Sequence, residues 1–171
     1  ALNKSVEASS TSTNDPGNTK ELVVDGNTST RWSSLRNEDE NWIMVDLGQY
    51  SEINAMSIQW ESACSDDYDI QVSSDKNNWI TVKDSMATGS SLLDEYNFDE
   101  PVYGRYVRVS SHKSRTLKYG ISIYEISVYG SYKDEDIAAN KNAFSSTIKD
   151  LNLPTHAIDN KANTSWISSA A

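Results

Sequence analysis

Apolar and polar side chains alternate with a period of two along most of this chain, which is the spacing of strands with one face buried. Ile43, Val45 and Leu47 alternate with Trp42, Met44 and Asp46, and Gly48 closes the run. The same alternation returns in Ile53 to Trp60, in Tyr68 to Val72 and in Trp79 to Val82, the last two separated by the turn-forming run Ser73 to Asn78. Further strands are expected over Leu92 to Phe98, Arg105 to Val109 and Ile121 to Tyr129. Ahead of them, Lys4 to Ser10 alternates weakly as an entry strand, and a Ser/Thr/Asn/Asp/Gly-rich loop runs on to Thr19. Lys20 to Val24 has the length of a single helical turn, and Ser33 to Asn41 is a second polar loop. About eight short strands with no sustained 3.6-residue period imply an all-β antiparallel sandwich, with both loops near one of its ends.

Composition narrows the partners. With a net charge of −10 and a pI near 4.6, the chain would be repelled by nucleic acid and by anionic membranes, so a neutral or cationic partner is favoured. A mean hydropathy of −0.62, with no apolar run approaching a membrane helix, leaves nothing to span a bilayer. Cys64 is the only cysteine, which rules out an intrachain disulfide and suits a small buried filler. The two histidines, His112 and His156, are too isolated for a metal cage. Ala1 to Lys4 lacks the charged and apolar regions of a secretion signal, so the chain starts as a mature product or as an excised piece.

Past Gly130 the pattern changes. Residues 133–139 read as a charged linker, and a second start follows over 140–171: Asn140-Lys141 echoes Asn3-Lys4, and Asp159, Thr164 and Trp166 repeat the spacing of Asp25, Thr30 and Trp32. Residues 1–132 are therefore expected as one module, followed by the truncated beginning of another. Without its own later strands, that second copy is expected to lack a complete core and a complete cation site.

Leu22 to Trp32 is dense in chemistry. In Asp25-Gly26-Asn27, Gly26 tolerates positive φ, and the flanking side chains can fold onto nearby backbone groups. Such a turn aims carbonyls inward, and with the Asp25 carboxylate and the Thr30 hydroxyl it offers the hard oxygens calcium prefers. An Asx turn without any ion, leading into a buried Trp32, uses the same residues. Motifs for catalysis are missing: there is no GxSxG elbow, no HExxH and no phosphate-cradling loop among only seven glycines. The plentiful carboxylates lie mainly in polar loops, with no apolar pocket evident to raise a pKa for glycosidase chemistry.

This stretch, together with Trp42 to Gly48, Gly104 to Val109 and Tyr119 to Gly130, resembles the factor V/VIII type C, or discoidin, family, and most closely its branch carbohydrate-binding module family 32. The four motifs occur in the family's order across residues 1 to 132. The resemblance implies a galactose-binding-domain-like jelly roll and a structural calcium ion. Its ligands would be the Leu22, Asn27 and Tyr124 carbonyls, the Asp25 and Glu125 carboxylates, and the Thr30 carbonyl and hydroxyl. It also implies a non-catalytic glycan-binding module attached to a glycoside hydrolase or adhesin, secreted or cell-surface and of bacterial type, joined to further modules of the same polypeptide.

A sugar site asks for a planar aromatic and for fixed polar groups that fork to neighbouring hydroxyls. The candidates are Glu61, Arg115, Tyr119, Arg31, Arg36, Trp60 and Asn14, on loops that the resemblance gathers at one end of the sandwich. Several have plainer uses: Trp60 as core, Arg115 as a tie to loop carbonyls, Arg31 as a counter-charge to the turn. Trp32, Trp42 and Trp79 suit packing, and Tyr119 is the preferred exposed ring. The rival class is an adhesion module binding a protein or lipid surface. Loop tips reading Asn14-Asp15-Pro16-Gly17-Asn18 and Asn37-Glu38-Asp39-Glu40 lack the apolar spikes and basic collar of membrane binders. Glu61 suits an amino sugar, whereas Arg31, Arg36 and Arg115 favour neutral or acidic glycans.

Overall fold

A computed structural model describes residues 1–132, 143–157 and 163–169. The chain divides into two compact units, Ala1–Lys133 and Asp134–Ala171. In the first, seven strands run antiparallel: β1 (Ser5–Ala8), β2 (Trp32–Ser33), β3 (Asn41–Trp60), β4 (Ser65–Ser73), β5 (Ile80–Met86), β6 (Leu93–Ser114) and β7 (Ser122–Tyr132). Single turns of 3-10 helix occupy Lys20–Val24, as the sequence predicts, and Leu117–Tyr119.

Two very long strands build both layers of the sandwich. The first half of β3 lies between β1 and the second half of β6, which in turn pairs with β4 and through it with β5. The second half of β3 pairs with the first half of β6 and with β7, and β7 carries β2 on its other edge. Register shifts between Asp46 and Ser51 and between Ile53 and Ala55 let β3 pass from one layer to the other. Bulges of this kind bend a strand without ending it. Gly48 therefore sits at a bend, where the sequence reading ended a strand, and the segments expected at Leu92–Phe98 and Arg105–Val109 likewise fuse into β6. The two fusions reduce the eight expected strands to six, and the short β2, which the alternation did not mark, makes seven.

Inward-facing side chains fill the space between the layers: Ile43, Val45, Ile53, Met56, Ile58, Ile70, Val107, Val109 and Ile126 are all buried. Trp32 and Trp60 are completely enclosed. Truncation of a buried Trp costs roughly 3–5 kcal/mol, so these two rings anchor the loop end of the sandwich. Trp42 and Trp79 are only half-buried; the Trp79 ring lies under the Arg108 guanidinium, 3.9 Å from Cζ to the ring centre. Cys64 is buried and unpaired.

In the second unit the described residues form a 3-10 turn at Pro154–Ala157 and a Lys149 amide to Ile167 carbonyl bond of 2.9 Å. Phe144 there is 91% exposed. The expected linker 133–139, the Asn140-Lys141 echo and Asp159 lie outside the described residues.

Candidate functional site

Arg31 enters β2, Glu61 leaves β3, and the two neighbouring strand ends are fixed to β7. Ser33 pairs with Ser122 in register, and their hydroxyls bond at 2.8 Å. The Glu61 amide donates to the Ser122 carbonyl at 3.0 Å, and the Ser122 amide to the Ala63 carbonyl at 2.6 Å. This lattice forms the floor of a groove of about 400 Å³ lined by Asp15, Arg31, Ser33, Arg36, Glu61, Ser62, Ala63, Tyr119 and Ser122.

Three loops supply the walls. The first carries Asp15, turned in by a 3.2 Å bond from its amide to the Ser12 hydroxyl, while the Ser12 amide is held by the Ser33 carbonyl at 2.8 Å. From the second, Arg36 donates Nη2 to Asp15 Oδ2 at 3.0 Å and sets Cζ 5.9 Å from the centre of the Tyr119 ring. Tyr119 comes from the third and is 47% exposed. Gly120 makes its position possible: with φ at +69°, a Cβ there would lie 2.4 Å from the Leu35 carbonyl oxygen and 2.5 Å from the Ser34 hydroxyl. No side chain fits, so the third loop can seat closely on the second.

Glu61 is half-buried, with Oε1 accepting from the Ser62 hydroxyl at 2.6 Å and Oε2 from the Ala63 amide at 2.8 Å. Burial pushes its carboxyl upward, but the bonds from Ser62 and Ala63 and the nearby Arg31 outweigh it and hold the carboxyl below its ordinary range. Glu61 is thus an anion in the groove wall. The Arg31 Nε is buried with no hydrogen-bond partner among the described residues. A buried unpaired donor costs stability, a sacrifice often found where a protein is arranged around something it binds.

Of the sugar-site candidates, the fold brings Arg31, Arg36, Glu61 and Tyr119 together. Trp60 is not a platform: it is fully buried, its indole donating to Asp94 Oδ2 at 2.8 Å, because the strand runs on into the core. Arg115 does not line the groove. Its Nε donates to Asp66 Oδ1 at 2.7 Å and its Nη2 to the Thr88 carbonyl, which is the plainer use open to it. Asn14 is exposed and outside the groove, whereas its neighbour Asp15 lines it. Asp15, Ser33, Ser62 and Ser122 escaped the sequence reading; the Ser12-x-x-Asp15 turn signature was the one local cue to Asp15.

A second polar corner joins the Asp25 turn to β7. The Asn27 amide donates to Asp25 Oδ1 at 2.8 Å, the Thr30 hydroxyl to Asp25 Oδ2 at 2.7 Å and to the Asn27 carbonyl at 2.9 Å, and the Gly26 amide reaches Glu125 Oε2 at 3.2 Å. Gly26 adopts a φ of +76°, as the turn requires. Burial and the neighbouring Asp25 raise the Glu125 carboxyl above its ordinary value, against the Gly26 amide and the amino terminus of Ala1. Among the described residues no three Asp, Glu, His or Cys side chains gather, so a cation here would rely on two carboxylates supplemented by hydroxyl and main-chain oxygens. That donor set contains only hard oxygen and fits calcium.

Comparison with known proteins agrees with the fold. The F5/8 type C domain model matches residues 5–126. A chitosan-binding module of a chitosanase/glucanase from Paenibacillus sp. IK-5, solved in complex with chitotriose, is 36% identical, with a TM-score of 0.70 over 76% of this chain and 98% of that one. A CBM32 module of Clostridium perfringens, solved with GalNAc-β-1,3-galactose, shares the fold at 23% identity and a TM-score of 0.65, over 75% of this chain and 96% of that one. The polysaccharide lyase 8 family protein HylA of Enterococcus faecalis is 32% identical over 94 residues, 54% of this chain, which spans only 7% of that curated relative. Motifs, strand order and these matches together place the chain in the F5/8 type C domain family.

Proposed function

We propose that residues 1–132 form a non-catalytic carbohydrate-binding module that attaches a secreted bacterial glycan-active enzyme to its substrate. The observation that carries this reading is the loop-end groove, where a half-exposed Tyr119 ring stands beside two guanidiniums, two carboxylates and three serine hydroxyls on a rigid strand floor. An aromatic face meets the apolar side of a pyranose, and the surrounding charged and hydroxyl groups match its ring of hydroxyls. The likeness to chitosan-binding modules supports the ligand class. An open groove of this kind takes one or two sugar units and binds weakly, with Kd on the order of 0.1 to 1 mM, because sugar hydroxyls exchange water for protein at small net gain. A repeated module on the same polypeptide would raise the avidity. The Asp25 and Glu125 corner is read as a structural calcium site that takes no part in ligand contact.

A glycan array followed by calorimetry on the best hit tests the reading. Tyr119→Ala should weaken binding at least tenfold, about 1.4 kcal/mol for loss of a stacked ring. Undiminished binding by that variant would move the sugar site elsewhere on the sandwich.

A further inference from the structure

The loop-end groove leaves a cluster of tyrosines unexplained. Where β3 bends between the layers, the outer face of β6, β3 and β7 carries residues paired in three rows. Tyr103, Glu52 and Ser131 form the first, and Asn97, Ala55 and Tyr129 the second. Glu95, Ser57 and Ser127 form the third. All face away from the core: Ile53, Met56 and Ile58, which alternate with them along β3, are buried, and the register shift between Ile53 and Ala55 absorbs Asn54 as an extra residue. Tyr50, two positions before Glu52, stacks on Tyr103 with ring centres 6.3 Å apart and planes 14° apart.

Tyr50, Tyr103 and Tyr129 are 39, 38 and 57% exposed. Single exposed rings are ordinary, but three on one sheet face mark a surface that binds something. Cross-strand packing accounts for the first two and not for Tyr129, whose partner across the ladder is Ala55. Ala55 also keeps the centre of the face low, a floor with Tyr129 on one flank and Tyr103 on the other, about 10 Å apart across the strands. Glu52 and Glu95 give the face two carboxylates, and no lysine or arginine stands in the three rows. Aromatic faces and carboxylates both attract cations, so the surface complements a sugar chain that carries ammonium groups. We propose that this face is a second glycan site, a platform for a chain of amino sugars. It goes beyond the loop-end groove and stands or falls separately from it. Tyr129 lies seven residues along β7 from Ser122 on the groove floor, roughly 24 Å, so the one or two sugar units held in the groove do not reach it.

Depletion of the full chain from solution onto chitosan beads and onto chitin beads, at about pH 5.5 where a free amine is charged, tests the platform. The parent should bind chitosan more tightly than chitin, whose amines are acetylated. Tyr103→Ala combined with Tyr129→Ala should weaken chitosan binding about tenfold, the contribution of the stacking rings. Glu52→Gln combined with Glu95→Gln keeps the size of both side chains, and should weaken it about threefold at low salt while leaving chitin binding unchanged. Tyr119→Ala, which disables the groove, should still be retained on chitosan and should lose that retention when the tyrosine pair is added. Parental chitosan affinity in either paired variant overturns the proposal, and so does a parent that prefers chitin or binds neither bead. Loss of all chitosan binding in Tyr119→Ala alone would put the sugar in the groove only, and overturns the second site while upholding the first.

Discussion

His112 lies on β6 between two carboxylates from other segments, with Nε2 3.2 Å from Asp69 Oδ2 and Nδ1 3.4 Å from Glu40 Oε2. Burial works against the imidazolium, but the bonds and charges of Asp69 and Glu40 prevail and lift the ring above its ordinary value of 6.5. A raised folded-state value means the fold binds the proton more tightly than the unfolded chain. The stabilisation is complete below the unfolded value and fades as pH rises through the folded one. His112→Gln should therefore lower the unfolding midpoint most near pH 5.5 and progressively less toward pH 8, a trend that thermal scans across that range would reveal. A constant gap between variant and parent would mean that His112 matters through packing instead. The network around Asp94 needs no such titration. Its Oδ2 accepts from the Trp60 indole at 2.8 Å and the Tyr68 hydroxyl at 2.6 Å, and burial, followed by the bonds Tyr68 makes with Asp94 and the Tyr96 hydroxyl, holds the Tyr68 phenol far above its ordinary value. Both rings are locked as core by one carboxylate, thirty-four positions after Trp60 and twenty-six after Tyr68, a partner that no local pattern at Trp60 announces.

At the scale of elements, Leu117–Tyr119 and the glycine after it decide how the groove is walled. Gly120 combines a φ of +69° with backbone contact to Leu35, and the Ile121 amide then donates to the Ser34 hydroxyl at 3.0 Å. Gly120→Ala meets both strain and collision, and should cost about 2–3 kcal/mol in chemical denaturation while reducing sugar affinity through a displaced Tyr119. Loss of affinity without loss of stability would show that the third loop can shift independently of the second. The strands themselves were legible because a half-buried strand must alternate, and so Ile43, Val45, Ile58 and Ile70 announce themselves. What alternation does not encode is whether a break is an end or a bend. Gly48 looks the same in either case, and only the pairing of β3 with different neighbours on its two sides resolves it. The groove was half legible for a related reason. Arg31, Arg36, Glu61 and Tyr119 stand out as charged or aromatic residues at strand ends, but whether an arginine faces solvent or a carboxylate depends on partners such as Asp66, forty-nine positions from Arg115.

Across the whole first unit, the chain's early turn and its last strand meet at one corner, where Gly26 and Glu125 are joined across ninety-nine positions. A cation there would close the sandwich by tying the segment before β2 to β7. Without one, Glu125 is held beside Asp25 and partly buried, and its raised carboxyl shows that ionising it opposes folding at neutral pH. The two states of the corner therefore make opposite demands on the same side chain. On the proposed calcium reading, an ion at a hundredfold excess over its Kd adds about 2.7 kcal/mol to stability, or roughly 10 °C in the unfolding midpoint for a domain of this size. Thermal unfolding of the parent in calcium and in excess chelator should show that gap. Glu125→Gln keeps the shape of the side chain and removes its charge, so it should unfold at or above the parent's midpoint in chelator and below it in calcium. Asp25→Ala should lose the calcium response as well, but with a lower midpoint throughout, since the Asn27 amide and the Thr30 hydroxyl lose their acceptor. If the parent melts at the same temperature in both solutions, the corner is an Asx turn held by its own hydrogen bonds, and closure of the sandwich depends on strand pairing alone.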